Sequence, residues 1–122
     1  PDPGRFELRL MDGSANPYLL QASVLAAGLY GLKNKVDPGK PLDCNMYEDH
    51  HKYPNLPKLP DELAQSLNLL KNNKDMNDAF GKDVVESYIK LRSSEMNEFK
   101  SKDSFDKTKD VTKWEKDNTL DC

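Results

Sequence analysis

The chain has 122 residues, 36% of them apolar, with 18 basic and 21 acidic side chains and a net charge of −3. That length fits one domain or part of one, and the near balance of charge argues against a nucleic-acid protein, which carries a basic excess. The first residue is Pro1 rather than methionine, as expected of a chain that has been cut or only partly observed. No signal peptide is visible, and two cysteines, Cys44 and Cys122, do not make a disulfide framework, so a cytoplasmic location is expected.

Residues 5–10, Arg5-Phe6-Glu7-Leu8-Arg9-Leu10, alternate charged and apolar side chains and predict a short strand. Alternate residues of a strand share a face, roughly 6.6 Å apart. Phe6, Leu8 and Leu10 then belong to a core, while Arg5, Glu7 and Arg9 share the other face. A carboxylate between two guanidiniums can hold a cation while the arginines hold anions. The same pattern also describes a plain ion-paired, solvated strand face.

Asn16 is a good helix cap and Pro17 a good first helical residue, which predicts a helix over 16–34. Ala22, Ala26, Ala27, Gly28 and Gly31 allow close approach, and Leu19, Leu20, Val24, Leu25, Leu29 and Leu32 cover most of its circumference. A helix apolar all round is buried all round. The remaining helices are too few and too amphipathic to surround it, so part of the structure is expected to be missing. The run Tyr18–Leu32 is too short to span a bilayer comfortably and is broken by Gln21 and Ser23, so no membrane association is expected.

Residues 36–60 carry prolines at 38, 41, 54, 57 and 60 and predict a long loop. Helices are expected over 61–100. Asp61 would cap the first, with Leu63, Leu67 and Leu70 in one stripe. A short turn at 75–80 would end at Gly81. The clearest amphipathic helix then begins at Asp83 and turns Val85, Tyr88, Ile89, Met96 and Phe99 inward. Residues 110–122 form a C-terminal tail, in which Thr112 and Glu115 have capping-box spacing and Trp114 reads as a packing anchor. His50-His51 lacks the i, i+4 spacing of a helical zinc site and reads as a solvated pair. Cys44 and Cys122 have no visible base, so no nucleophile is expected.

The ordered series from Arg5 through Asn16-Pro17-Tyr18-Leu19, Ala26-Ala27-Gly28-Leu29-Tyr30-Gly31-Leu32-Lys33-Asn34-Lys35 and Asp37-Pro38-Gly39 to Asn45-Met46-Tyr47 resembles the end of the catalytic domain of glutamine synthetases. The resemblance is close over residues 5–47 and follows only the helix pattern up to about Phe99. Met11 replaces the usual proline, and the histidine stretch after Tyr47 and the C-terminus depart from the common pattern; the ending resembles divergent bacterial branches.

The resemblance implies a mainly α fragment with one short N-terminal strand, part of an α+β catalytic domain. It implies that Glu7 binds one of two divalent cations, Mg²⁺ or Mn²⁺. Arg9 would hold the substrate carboxylate or γ-glutamyl phosphate, and Arg5 would lie near the phosphates of ATP. The implied reaction joins ammonia to glutamate, in a homo-oligomer of stacked rings. Tyr47 matches a tyrosine adenylylated in some bacterial members, but Glu48-Asp49-His50-His51 replaces the usual following residues and argues against modification. Two alternatives stand beside this: a γ-glutamyl-amine ligase with another acceptor, and a non-catalytic helical interaction domain. Arg5, Glu7 and Arg9 together speak against the second.

Overall fold

Asn16 sets the start of the first helix, α1 (Pro17–Lys33), in the computed structural model, which describes residues 4, 6–102 and 111–119. Its Oδ1 accepts from the backbone N–H groups of Tyr18 at 3.0 Å and Leu19 at 3.1 Å, satisfying two donors that the first turn leaves without partners. Pro17 at the first position loses no hydrogen bond there. The helix ends in a Schellman arrangement, with Val36 N–H on Gly31 O at 2.9 Å and Lys35 N–H on Leu32 O at 3.3 Å. That closure places Lys35 at φ 50°, a left-handed position that usually falls to glycine.

Within the proline-rich stretch the chain forms one turn of helix, α2 (Met46–Asp49), followed by a 3₁₀ turn at His50–Lys52. The stretch expected to be all loop is therefore interrupted. The cause is local: Asn45 Oδ1 accepts from Tyr47 N–H at 3.2 Å, and Glu48 and Asp49 lie in the first turn.

The C-terminal half is a helical cluster. Helix α3 (Leu63–Asn72) begins after Glu62, which sits at the cap position without a side-chain bond, so Asp61 is not its cap. Asn73 ends α3 and caps α4 (Lys74–Phe80), its Oδ1 accepting from Met76 N–H at 3.0 Å. The corner is held by Asn77 Nδ2, which donates to Asn73 O at 2.7 Å and Leu70 O at 3.2 Å. Gly81, at φ 85°, then turns the chain into α5 (Lys82–Lys102). Helices α3 and α4 pack on α5, and α1 packs on α4. Helix α6 (Lys113–Asn118) carries the capping box: Glu115 N–H bonds Thr112 Oγ1 at 3.2 Å, and Thr112 N–H bonds Glu115 Oε2 at 2.8 Å. Trp114 lies edge-to-face on Phe99 of α5, ring centres 5.6 Å apart.

One further expectation is corrected. Residues 6–10 form no strand, and the described residues contain none at all. A strand exists through ladder bonds to a neighbour, and alternation alone cannot supply one. Phe6, Leu8 and Leu10 are accordingly exposed. Helix α1, expected to need chain beyond these residues to cover it, has no buried residue, and Leu32 is 78% exposed. Among the described residues only Leu67 and Val85 are buried hydrophobics. The accessible surface is 11171 Å², whereas a compact monomer of this mass shows about 6,700 Å². Leu25, Leu29 and Leu32 of α1 contribute to that excess, being 64%, 56% and 78% exposed.

Candidate functional site

The charged face of residues 6–10 retains its side-chain pairing without a strand. Arg9 Nε donates to Glu7 Oε1 at 2.6 Å, with the Glu7 and Arg9 side chains 61% and 84% exposed. The contact uses one oxygen and one nitrogen, which leaves Glu7 Oε2 and the two terminal nitrogens of Arg9 for other partners. An exposed pair of this kind contributes about 0–1 kcal/mol to stability, so its interest lies in what it presents. Arg5, the third residue expected here, lies outside the described residues, as does Cys122.

The pair is joined to α1 by a tight turn that sequence reasoning passed over. Asp12 Oδ1 accepts from Ser14 N–H at 2.8 Å and Ser14 Oγ at 2.9 Å, and Ala15 N–H returns to Asp12 O at 3.2 Å. The backbone and hydroxyl bonds from Ser14 hold the Asp12 carboxyl below its usual pKa. The signal was available in Asp12-Gly13-Ser14, a turn-forming run in which an Asp oxygen bonds the backbone two residues on.

Mg²⁺ and Mn²⁺ take hard oxygen ligands, and Mg²⁺ is commonly held by one or two carboxylates with phosphates and water. Glu7 fits one such position. Among the described residues no three His, Cys, Asp or Glu side chains converge on a metal site, so the rest of a coordination shell is not found there. His50 and His51 stand edge-to-face with ring centres 5.9 Å apart and belong to no such cluster. Tyr47 is 96% exposed at the start of α2.

Two clusters were not foreseen. The Cys44 thiol lies 3.6 Å from Met46 Sδ. Its hydrogen bond with the Tyr53 hydroxyl raises the Tyr53 pKa. On α5, Arg92 Nη1 pairs with Glu95 Oε2 at 2.6 Å and its guanidinium lies 5.5 Å from the Tyr88 ring centre. Burial disfavours the Arg92 charge, but the Glu95 bond and charge, with Tyr88, outweigh it and raise the pKa. Arg92 borders a groove of about 1170 Å³, walled by Leu19, Leu70, Val85, Phe99 and Trp114 among others. Glu7 and Arg9 do not line it. Its apolar walls are the inward faces of α1, α3, α5 and α6, so it reads as packing surface.

A helical scaffold carrying a paired acid and base ahead of a capped, apolar helix fits a segment of a larger catalytic domain. Residues 1–116 match the family described as glutamine synthetase, catalytic domain, and the chain belongs to that family, as a C-terminal region of the domain. It is 44% identical over 121 residues to a glutamine synthetase of Rhizobium meliloti, covering 99% of this chain and 26% of the relative. A glutamine synthetase of Rhizobium leguminosarum bv. phaseoli is 41% identical over the same coverage. One from Methanosarcina mazei is 35% identical over 100 residues, covering 80% of this chain and 22% of the relative. The chain thus spans about a quarter of the length of these relatives. No solved structure gives a significant match. The family is one of ligases that generally use ATP and a divalent metal. Among the described residues no helix is long and apolar enough to cross a membrane.

Proposed function

We propose that this chain supplies one wall of the active site of an ATP-dependent glutamate–ammonia ligase. In that reaction the γ-carboxylate of glutamate is activated as γ-glutamyl phosphate and ammonia displaces the phosphate. The observation that carries the reading is the Glu7–Arg9 pair, one hard oxygen and one guanidinium on a single edge ahead of α1. Transfer of a phosphoryl group to a carboxylate gathers negative charge at one point, and fixed cations and donors offset it. A divalent cation, when bound, neutralises phosphate charge there.

Glu7 contributes one anionic oxygen toward that cation. Arg9 presents terminal N–H groups to the substrate carboxylate or the activated phosphate, for which its planar fork is suited. Arg5 is assigned to the nucleotide phosphates, by family resemblance alone. ATP, with Mg²⁺ or Mn²⁺, and a homo-oligomer of stacked rings complete the reading, and the remaining ligands come from chain beyond these 122 residues.

The test is Glu7→Gln and Arg9→Lys in a catalytic domain of the relatives' full length that carries this segment. Glu7→Gln keeps size but loses the charge, and should weaken metal binding by about tenfold or more, as changes around metal ligands do, with a sharp fall in turnover. Arg9→Lys keeps charge but loses the fork, and should raise the KM for glutamate or lower turnover with little change in folding. Wild-type activity and metal affinity in both would overturn the assignment.

A further inference from the structure

We propose that Glu7 is also a positioning residue: it fixes the guanidinium of Arg9 so that its terminal nitrogens face a bound carboxylate or phosphate. The proposal rests on reading Arg9 as the anion-binding group. Arginine donates through five N–H groups in a rigid plane, one of them at Nε. The 2.6 Å bond runs from Nε itself to Glu7 Oε1. A bond at Nε holds the plane of the guanidinium and leaves both terminal nitrogens to bind an anion. A lysine could not do this, because one ammonium has no second edge. Among the described residues Arg9 has no other hydrogen bond or ion pair, and its side chain is 84% exposed. Without Glu7 the long side chain would have to be ordered by the anion on binding, at the expense of affinity.

Simple electrostatics predicts the opposite sign. A carboxylate beside an anion site repels the anion, so removing it should strengthen binding. The two accounts therefore separate in metal-free protein, where any role of Glu7 as a metal ligand is silent. The probes are inorganic phosphate and glutamate, titrated calorimetrically in the presence of a chelator. The protein is a catalytic domain of the relatives' full length carrying this segment. Glu7→Ala removes both acceptor and charge, and should weaken binding of both probes about two- to fivefold, the range open to an exposed ion pair. Glu7→Gln keeps an oxygen acceptor for Nε and removes the repulsive charge, and should bind at least as tightly as wild type. A second readout guards against misfolding: the Arg9 Nε–H proton resonance should keep its wild-type position in Glu7→Gln and move to the free-arginine position in Glu7→Ala.

Tighter or unchanged anion binding in Glu7→Ala, with Arg9→Ala weakened, overturns the positioning role and leaves Arg9 as an anion-binding residue. Unchanged binding in Arg9→Ala overturns that reading and the positioning role together. Failure of Glu7→Gln to restore binding also counts against positioning, because the acceptor is still present.

Discussion

Replacing Asn16 by alanine tests how α1 is started and how the charged edge is tied to it. The Asn16 side chain satisfies two N–H groups, those of Tyr18 and Leu19. Loss of an N-cap costs about 0.5–2 kcal/mol. Because two donors lose their acceptor, Asn16→Ala should fall in the upper half of that range, about 1–2 kcal/mol. Two controls fix the mechanism. Asn16→Asp keeps the acceptor and adds a negative charge at the positive end of the helix, so it should match or exceed wild type. Asn16→Gly should lose only a few tenths of a kcal/mol. The assay is urea unfolding of a full-length catalytic domain carrying this segment, comparing midpoints at constant slope. An Asn16→Ala midpoint equal to wild type, or an Asn16→Asp protein less stable than Asn16→Ala, would refute the cap as the source of the stability.

Lys35→Gly should stabilise the domain by about 0.5–1 kcal/mol: removing the Cβ from a left-handed position releases about 1–2 kcal/mol, less about 0.5–1 kcal/mol for the freer unfolded chain of glycine. An unchanged or lowered unfolding midpoint would show that Lys35 makes compensating contacts. For Asp12 the folded carboxyl pKa is depressed, so the Ser14 bonds contribute stability above the unfolded pKa, and that contribution is lost as pH falls through the lower folded value. The Ser14 amide resonance should therefore titrate with a midpoint below that of a free aspartate, and a normal midpoint would remove the turn's charge-assisted bond. The isolated 122-residue chain should bind a hydrophobic dye and self-associate, because α1 offers Leu25, Leu29 and Leu32 to solvent. A monodisperse, dye-free monomer would contradict the surface excess.

What was legible in the sequence is what local chemistry determines. Asn16-Pro17, the Thr112–Glu115 box and Gly81 each mark a helix boundary through bonds made within a few residues, and the structure shows those bonds or that backbone angle. The inward residues of α5 follow from spacing alone; Val85 is buried and Tyr88, Ile89, Met96 and Phe99 are partly covered. The strand read from residues 5–10 is absent, because alternation reports which side chains share a face and not whether a neighbour supplies ladder bonds, and the described residues supply none. Helix α2 was hidden by the surrounding prolines, although Asn45 with Glu48 and Asp49 behind it is a start signal. Asp61 was one residue from the true cap position, within the normal uncertainty of helix ends. The Cys44–Tyr53 contact joins residues nine apart through two short turns, which no periodicity reports.

The site and the scaffold solve different physical problems, and the boundary between them is the six residues from Met11 to Asn16. A site group must be held to a fraction of an ångström by supporting bonds, yet among the described residues Glu7 and Arg9 bond only to each other. Rigidity begins at Asp12, whose oxygen binds Ser14, and at Asn16, whose oxygen binds the first turn of α1. Residues 6–10 then need lateral support, because Phe6, Leu8 and Leu10 stand exposed with no apolar layer over them. The same partner requirement falls on α1, whose low amphipathicity leaves no face suited to water. Both demands follow from one fact, that these residues are a quarter of the length of the relatives they match. On the proposed reading the charged edge becomes a site once the layer behind it is complete, and α4, which packs on α1, braces that helix for the layer to close against.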